Sequence, residues 1–304
     1  MIYLVKNGMF YHKEINFTNN MSATYMKSYK TNLVILIFAV IFFGLPKITK
    51  CQNKWLILKP GDISAKFQNL DHFKNYSKYS RSYNLEVLRA IDTVQSHAMD
   101  GGGYFIGIDS TPTESPIGYN LKLFGSSLIK PTRSSSYCSG STYSVLITAL
   151  DFILGKQASK LSKDRLEAMR MQEPNGGRRN DWIKYWGIWN ADGFGSEYAL
   201  VQYSNMGKVV KPEDAIPGDF MNISWKSGIG HSVIFLGWYL DKNGDKCVTY
   251  WSSQKGTNGF GDQIVSLKKI KSLKIVRLTK PQNIFKFNIS KKVNTNVAGD
   301  MPTF

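Results

Sequence analysis

The sequence predicts an α+β fold in which a nucleophile opens a helix and that helix packs on an antiparallel sheet. Three observations predict it. Apolar residues recur at helical spacing between Leu85 and Ile153, they alternate in strand fashion after Pro217, and Cys138 stands at the amino end of the second helical stretch. A chain of 304 residues with 42% hydrophobic content buries one substantial core, which excludes disorder throughout.

Taken in order, residues 1–25 carry no periodic pattern, and Met26 makes the better start; they are read as an over-extended or disordered leader. Residues 26–51 read as a secretion signal: two lysines precede an apolar run from Leu33 to Phe43, with small and polar residues after it. Eleven apolar residues are too few for a membrane span, which needs about 20, so cleavage near Cys51 is expected. A retained anchor is one alternative. A lipidated Cys51 is another, although Lys50 stands where a lipobox carries a small residue.

One main domain is expected over residues 58–280. Leu85, Leu88, Ile91 and Val94 mark a first helix, stopped by Gly101, Gly102 and Gly103 before a strand-like stretch from Tyr104 to Ile108. After a passage rich in Pro, Ser and Thr, residues Tyr143, Leu146, Ile147, Leu150 and Ile153 mark a second helix, which begins at Cys138 and ends at Gly155. Residues 156–215 combine a short charged helix with long aromatic and glycine-rich loops. From Pro217 onward four or five antiparallel strands alternate, with the turn Asp241–Asp245 joining two of them. Residues 281–304 read as a basic, poorly ordered tail.

Charge and cysteine usage narrow the function. The 39 basic and 22 acidic residues give a net +17, and +12 remains when residues 1–50, with six lysines and one glutamate, are removed. Such a balance favours anionic partners. Export makes nucleic acid an improbable target and leaves an anionic cell-wall polymer outside the cytoplasm, whether periplasmic, cell-surface or secreted. Three cysteines, with no paired spacing and no Cys/His cluster, exclude a disulfide scaffold and a zinc site. No metal or organic cofactor is implied. HExxH and GxSxG are both missing, and Gly155-Lys156-Gln157 is no phosphate loop.

Cys138 is the sharpest chemical candidate. At the first turn of a helix, unpaired N–H groups and the helix dipole stabilise a thiolate and can also hold an oxyanion. Acyl transfer by a thiolate needs a base. His231 opens an apolar strand after a turn, whereas His72 lies in a polar, lysine-rich stretch and His97 ends a helix. The ring then needs an orienting partner on the neighbouring strand. Period-two alternation puts Tyr250, Ser252 and Gln254 on one face and Trp251 and Ser253 on the other, so Gln254 is the preferred partner. The aromatic cluster of Trp182, Tyr185, Trp186, Trp189 and Phe194 could stack on sugar rings or pack on the core.

The order of these parts resembles the papain-like cell-wall cysteine peptidases, and most closely the NlpC-type endopeptidases and CHAP amidases. Tyr137, Cys138, Ser139 and Gly140 stand where those families carry the nucleophile segment, and Gly230, His231, Ser232 and Val233 where they carry the base. The resemblance covers residues 135–256. It departs in three places: Tyr137 replaces the usual Asp or Asn, the stretch from Gly155 to Pro217 is long, and Gln254 replaces the usual His, Asn or Glu.

The resemblance implies a papain-like fold and an exported thiol hydrolase with catalytic Cys138, His231 and Gln254. Tyr137, Trp186 and Trp189 are its candidate substrate-binding residues, and peptidoglycan stem peptides are the expected substrate. Two alternatives stay open: a catalytically silent wall-binding protein, and an acyltransferase or transglutaminase using the same triad.

Overall fold

The computed structural model describes Val5–Lys6, Met9–Phe10 and residues 55–303, apart from 65, 112, 132, 172–184, 188–192 and 295. The chain divides into two units, Met1–Gln52 and Asn53–Phe304. In the first, strand β1 (Val5–Lys6) pairs antiparallel with β2 (Met9–Phe10). The expected signal at 26–51, with Leu33–Phe43 and Cys51, lies outside the described residues.

The second unit is mixed α+β with a largely antiparallel sheet. It opens with the short strand β3 (Ile57–Leu58), helix α1 (His72–Tyr76) and helix α2 (Asn84–Ser96). In α2, Val87, Leu88, Ile91 and Val94 form the buried face at helical spacing. A hairpin of β4 (Leu121–Leu123) and β5 (Ser126–Ile129) follows. Then come helix α3 (Cys138–Leu154), the short α4 (Lys163–Ala168), and a π-type helical segment, α5 (Glu197–Tyr203).

Strands β6 (Gly207–Val210), β7 (Phe220–Trp225), β8 (Gly230–Leu240), β9 (Lys246–Gln254), β10 (Gly259–Ser266) and β11 (Ile270–Leu278) form one sheet in the order β10-β9-β8-β7-β11-β6. The eleven-residue β8 is flanked on one side by β7 over its first half and by β3, in parallel, over its second. Its near-continuous apolar run follows from burial on both faces. Ile234 and Leu236 join Trp251 in the core shared with α2 and α3, while Val233 and Phe235 join Tyr250 and Val248 in a second core on the opposite face.

A buried polar joint ties the helices to the sheet. Arg277 on β11 donates from Nε and Nη2 to the carboxylate of Asp219 at 2.8 and 2.7 Å, and Asn84 of α2 donates to the same carboxylate at 2.8 Å. The bidentate geometry satisfies a fully buried charge, which would otherwise be costly.

Two expectations are corrected here. Tyr104–Ile108 is not a strand: it makes an isolated bridge from Tyr104 to Ser136 and then enters a 3-10 turn at Gly107, where Glu114 comes so close that a Cβ would lie 1.7 Å from its carbonyl oxygen. The tail beyond Lys280 is packed. Ile284 and Phe287 are buried in the main core, the Tyr203 hydroxyl donates to the Ile289 carbonyl at 2.7 Å, and Asp300 bridges Leu273 of β11.

Candidate active site

Helix α3 opens with small polar residues, and each is used. Ser139 Oγ lies 2.7 Å from Ser115 Oγ, and Ser141 Oγ donates to the Cys138 carbonyl at 2.7 Å while accepting from the Ser253 N–H at 3.1 Å. Thr142 Oγ1 lies 2.7 Å from Ser232 Oγ. These bonds dock the first turn of α3 on β8 and β9, the two strands that carry His231 and Gln254. Ser252 locks the strand pair from within by donating to the Ser232 carbonyl at 2.6 Å. Only glycine fits at 140, where a Cβ would stand 2.2 Å from the Pro116 carbonyl oxygen and 2.8 Å from that of Ser115. The close approach of that segment is what encloses the helix start.

Cys138 is the first residue of α3, after the extended Tyr137, and is 1% exposed. It therefore belongs to the first helical turn, whose N–H groups have no carbonyl partner within the helix. Tyr104 and Ile108 pack around Tyr137 and Cys138, and the Tyr104 and Tyr137 rings stack at 5.8 Å. Tyr137, proposed above as a substrate contact, is therefore buried beside the cysteine.

His231 is the second residue of β8 and is 6% exposed. Its Nε2 lies 3.3 Å from Gln254 Oε1. The amide of Gln254 is itself oriented, because its Nε2 donates to Thr257 Oγ1 at 2.7 Å and to the Gly261 carbonyl at 2.9 Å. With both amide hydrogens used, Oε1 faces His231 and must accept, so the imidazole proton sits on Nε2 and Nδ1 is the proton-accepting nitrogen. Burial pulls the His231 pKa down to about 4, against the Gln254 bond, which raises it. The ring is thus neutral at ordinary pH.

Tyr250 links the two halves. Its ring meets that of His231 edge-on at 5.5 Å, and burial, followed by the nearness of the ionisable Cys138 and Tyr104 groups, pushes its phenol far above the ordinary value. Tyr104 is raised in the same way, by burial first and then by Cys138 and Asp109. Cys138, Tyr104, Tyr250, His231 and Gln254 accordingly share one neighbourhood. The His231 ring meets Tyr250, while its neighbour Ser232 bonds Thr142 on α3.

The aromatic loop resolves differently from its stacking reading. Trp186 is 0% exposed and donates from Nε1 to the Ser139 carbonyl at 3.0 Å, with its ring 6.1 Å from both Tyr143 and Phe220. It braces α3 from inside the core and presents no face to a ligand, which corrects its assignment as a substrate contact. Trp182 and Trp189 lie outside the described residues.

Cys247 is buried, and burial raises its thiol; a pairing with Cys51 falls outside the described residues. Asp241 accepts the Asn243 and Asp245 N–H groups at 2.8 Å each, as a hairpin turn requires. Among the described residues no three His, Cys, Asp or Glu side chains are grouped to hold a metal ion. The group that sequence reasoning missed is His72, which is buried between Asp92 and Asp262 at 2.7 and 2.8 Å.

No family model, curated protein or solved structure matches this chain.

Proposed function

We propose that this protein is an exported cysteine hydrolase with a papain-like arrangement, cutting amide bonds in peptidoglycan stem peptides. The observation that carries the reading is the docking of one helix start, with Cys138 at its first position, onto the strand pair that holds the hydrogen-bonded His231 and Gln254.

In this reading each residue has one task. Cys138 Sγ gives its proton to His231 Nδ1 and attacks the amide carbon, and the oxyanion faces the N–H groups of the first helical turn. The resulting imidazolium, held by Gln254, passes its proton to the departing amine. Water then adds to the thioester with His231 taking its proton, and the acid leaves with the thiol restored. The basic exterior draws in a substrate rich in carboxylates.

A second reading has its own support. Cys138 and His231 are 1% and 6% exposed, and so closed a site favours a catalytically silent wall-binding protein. An acyltransferase would use the same thioester with an amine in place of water. Mass analysis of purified wall fragments after incubation separates the three. Hydrolysis yields cut stems, and Cys138→Ala should lower their yield at least a thousandfold while wall binding persists, because only binding and oxyanion contacts remain. New cross-links would instead indicate transfer, and binding without products would indicate a silent protein.

A further inference from the structure

A groove of about 530 Å³ lies between the β7–β8 turn and the β10–β11 turn. Its floor is apolar: Trp225 at the end of β7, Val265 on β10, and Ile229, which is 59% exposed. Lys226, Lys268 and Lys269 stand on its rim. The two turns are joined, since the Lys226 N–H donates to the Lys269 carbonyl at 3.0 Å; the β7–β8 turn is itself closed by the Trp225 N–H donating to the Ile229 carbonyl at 2.9 Å. Lys268 is already paired with Asp245, at 2.7 Å. Among the described residues no carboxylate is paired with Lys226 or Lys269, which leaves two cations facing outward beside the apolar floor. The groove also ends against the candidate base: the Trp225 ring lies 6.1 Å from that of His231, inclined by 31°.

We infer that this groove binds a peptide segment in which an apolar side chain stands next to a carboxylate, as the flank of the substrate beside the bond to be cut. Apolar atoms leave water against Trp225, Ile229 and Val265 while the carboxylate is held by Lys226 and Lys269. The lining sets apolar side chains beside two lysines and runs up to His231, which favours a peptide over a membrane or a polynucleotide. The assignment as a substrate flank rests on the amide-hydrolase reading; the binding itself does not.

The test uses the full chain carrying Cys138→Ala, titrated calorimetrically with the tripeptide Ala-Glu-Leu bearing its free carboxylates and with Ala-Gln-Leu-amide. The acidic peptide should bind at least tenfold more tightly than the neutral one, and high salt should weaken it. The double variant Lys226→Glu, Lys269→Glu should raise the Kd at least tenfold, and Ile229→Ser should raise it severalfold with the lysines intact. Equal affinity for the two peptides, or an unchanged Kd in both variants, overturns the proposal. So does a result in which vesicles of anionic lipid, and not the peptide, respond to the charge reversal. Binding that follows the variants while the wild type leaves wall stems uncut sustains the groove and removes the hydrolase. Stems cut equally by wild type and double variant, with an unchanged Kd, remove the groove and leave the hydrolase standing.

Discussion

Gln254 decides which nitrogen of His231 can act. Its amide hydrogens are committed to Thr257 and Gly261, so the imidazole proton is held on Nε2 and Nδ1 keeps its lone pair. Burial sets the second property of the ring, a pKa of about 4 in place of the ordinary 6.5. The neutral form therefore persists in mild acid, and under the proposed hydrolase mechanism the acid limb of kcat/KM on a soluble stem peptide should fall near pH 4. Gln254→Ala removes the bond that raises this pKa and frees the ring to rotate, so the limb should shift lower still while kcat drops on the order of 10- to 100-fold. A limb at pH 6.5 in the wild type would show that His231 is solvated during turnover and would remove the argument. The Gln254 pairing was legible in the sequence because strand alternation fixes which residues share a face. Tyr104 was not, since the stretch that carries it reads as a strand and folds as a bridge and a turn. Trp186 misled for a different reason: aromatic residues near a glycine-rich loop have the same composition whether they stack on a ligand or fill a core.

Helix α3 is the element on which the site depends, and its start is set by contact more than by propensity. The carbonyls of Ser115 and Pro116 lie where a Cβ on residue 140 would be, and backbone cannot yield as a side-chain tip can. Gly140→Ala should cost about 1–3 kcal/mol in chemical denaturation, and should reduce turnover more than that loss explains because it shifts the turn that carries Cys138. Gly155→Ala serves as its control. Position 155 has helical backbone angles and nothing within 4 Å, so alanine there should leave stability unchanged or raise it slightly. Equal stability and turnover for the two variants would mean that the crossing segment moves aside freely. The limits of α3 could be read directly, from the polar first turn at one end and Gly155 at the other. The packing of the tail could not. Polar residues, with four asparagines and three lysines among residues 281–304, make it read as a loop, and its buried apolar residues, Ile284 and Phe287 among them, are too irregularly spaced to give a period. The seven residues of α5 were hidden for a related reason, being under two turns in length and embedded in loop-like sequence.

Across the whole molecule, distant parts of the chain are joined by one buried ring. His72 Nδ1 lies 2.7 Å from Asp92 of α2 and its Nε2 lies 2.8 Å from Asp262 of β10, so α1, α2 and the edge strand of the sheet meet at a single imidazole. The Asp92 carboxylate also accepts the backbone N–H groups of His72 and Phe73, and Asn69 donates to Asp262. Burial alone would lower the pKa of His72. The charges of Asp262 and Asp92, with their hydrogen bonds, outweigh it and raise the value to about 9. The folded state therefore binds a proton more tightly than the unfolded chain, whose histidine titrates near 6.5. The resulting stabilisation is fully present below about pH 6.5 and is lost as the pH climbs through 9; it is on the order of 3 kcal/mol. His231 has the opposite sign, because its folded pKa of about 4 makes stability decline as the pH falls from 6.5 toward 4. Together the two histidines place the stability maximum near pH 6.5, and urea denaturation at pH 5, 6.5 and 9 should find the midpoint highest in the middle. His72→Gln should flatten the alkaline side and leave the acid side in place, and Asp92→Asn provides the same comparison if that variant does not fold. A wild-type midpoint that keeps rising to pH 9 would mean that the ring between Asp92 and Asp262 is neutral, and that hydrogen bonding without charge holds the helices to the sheet.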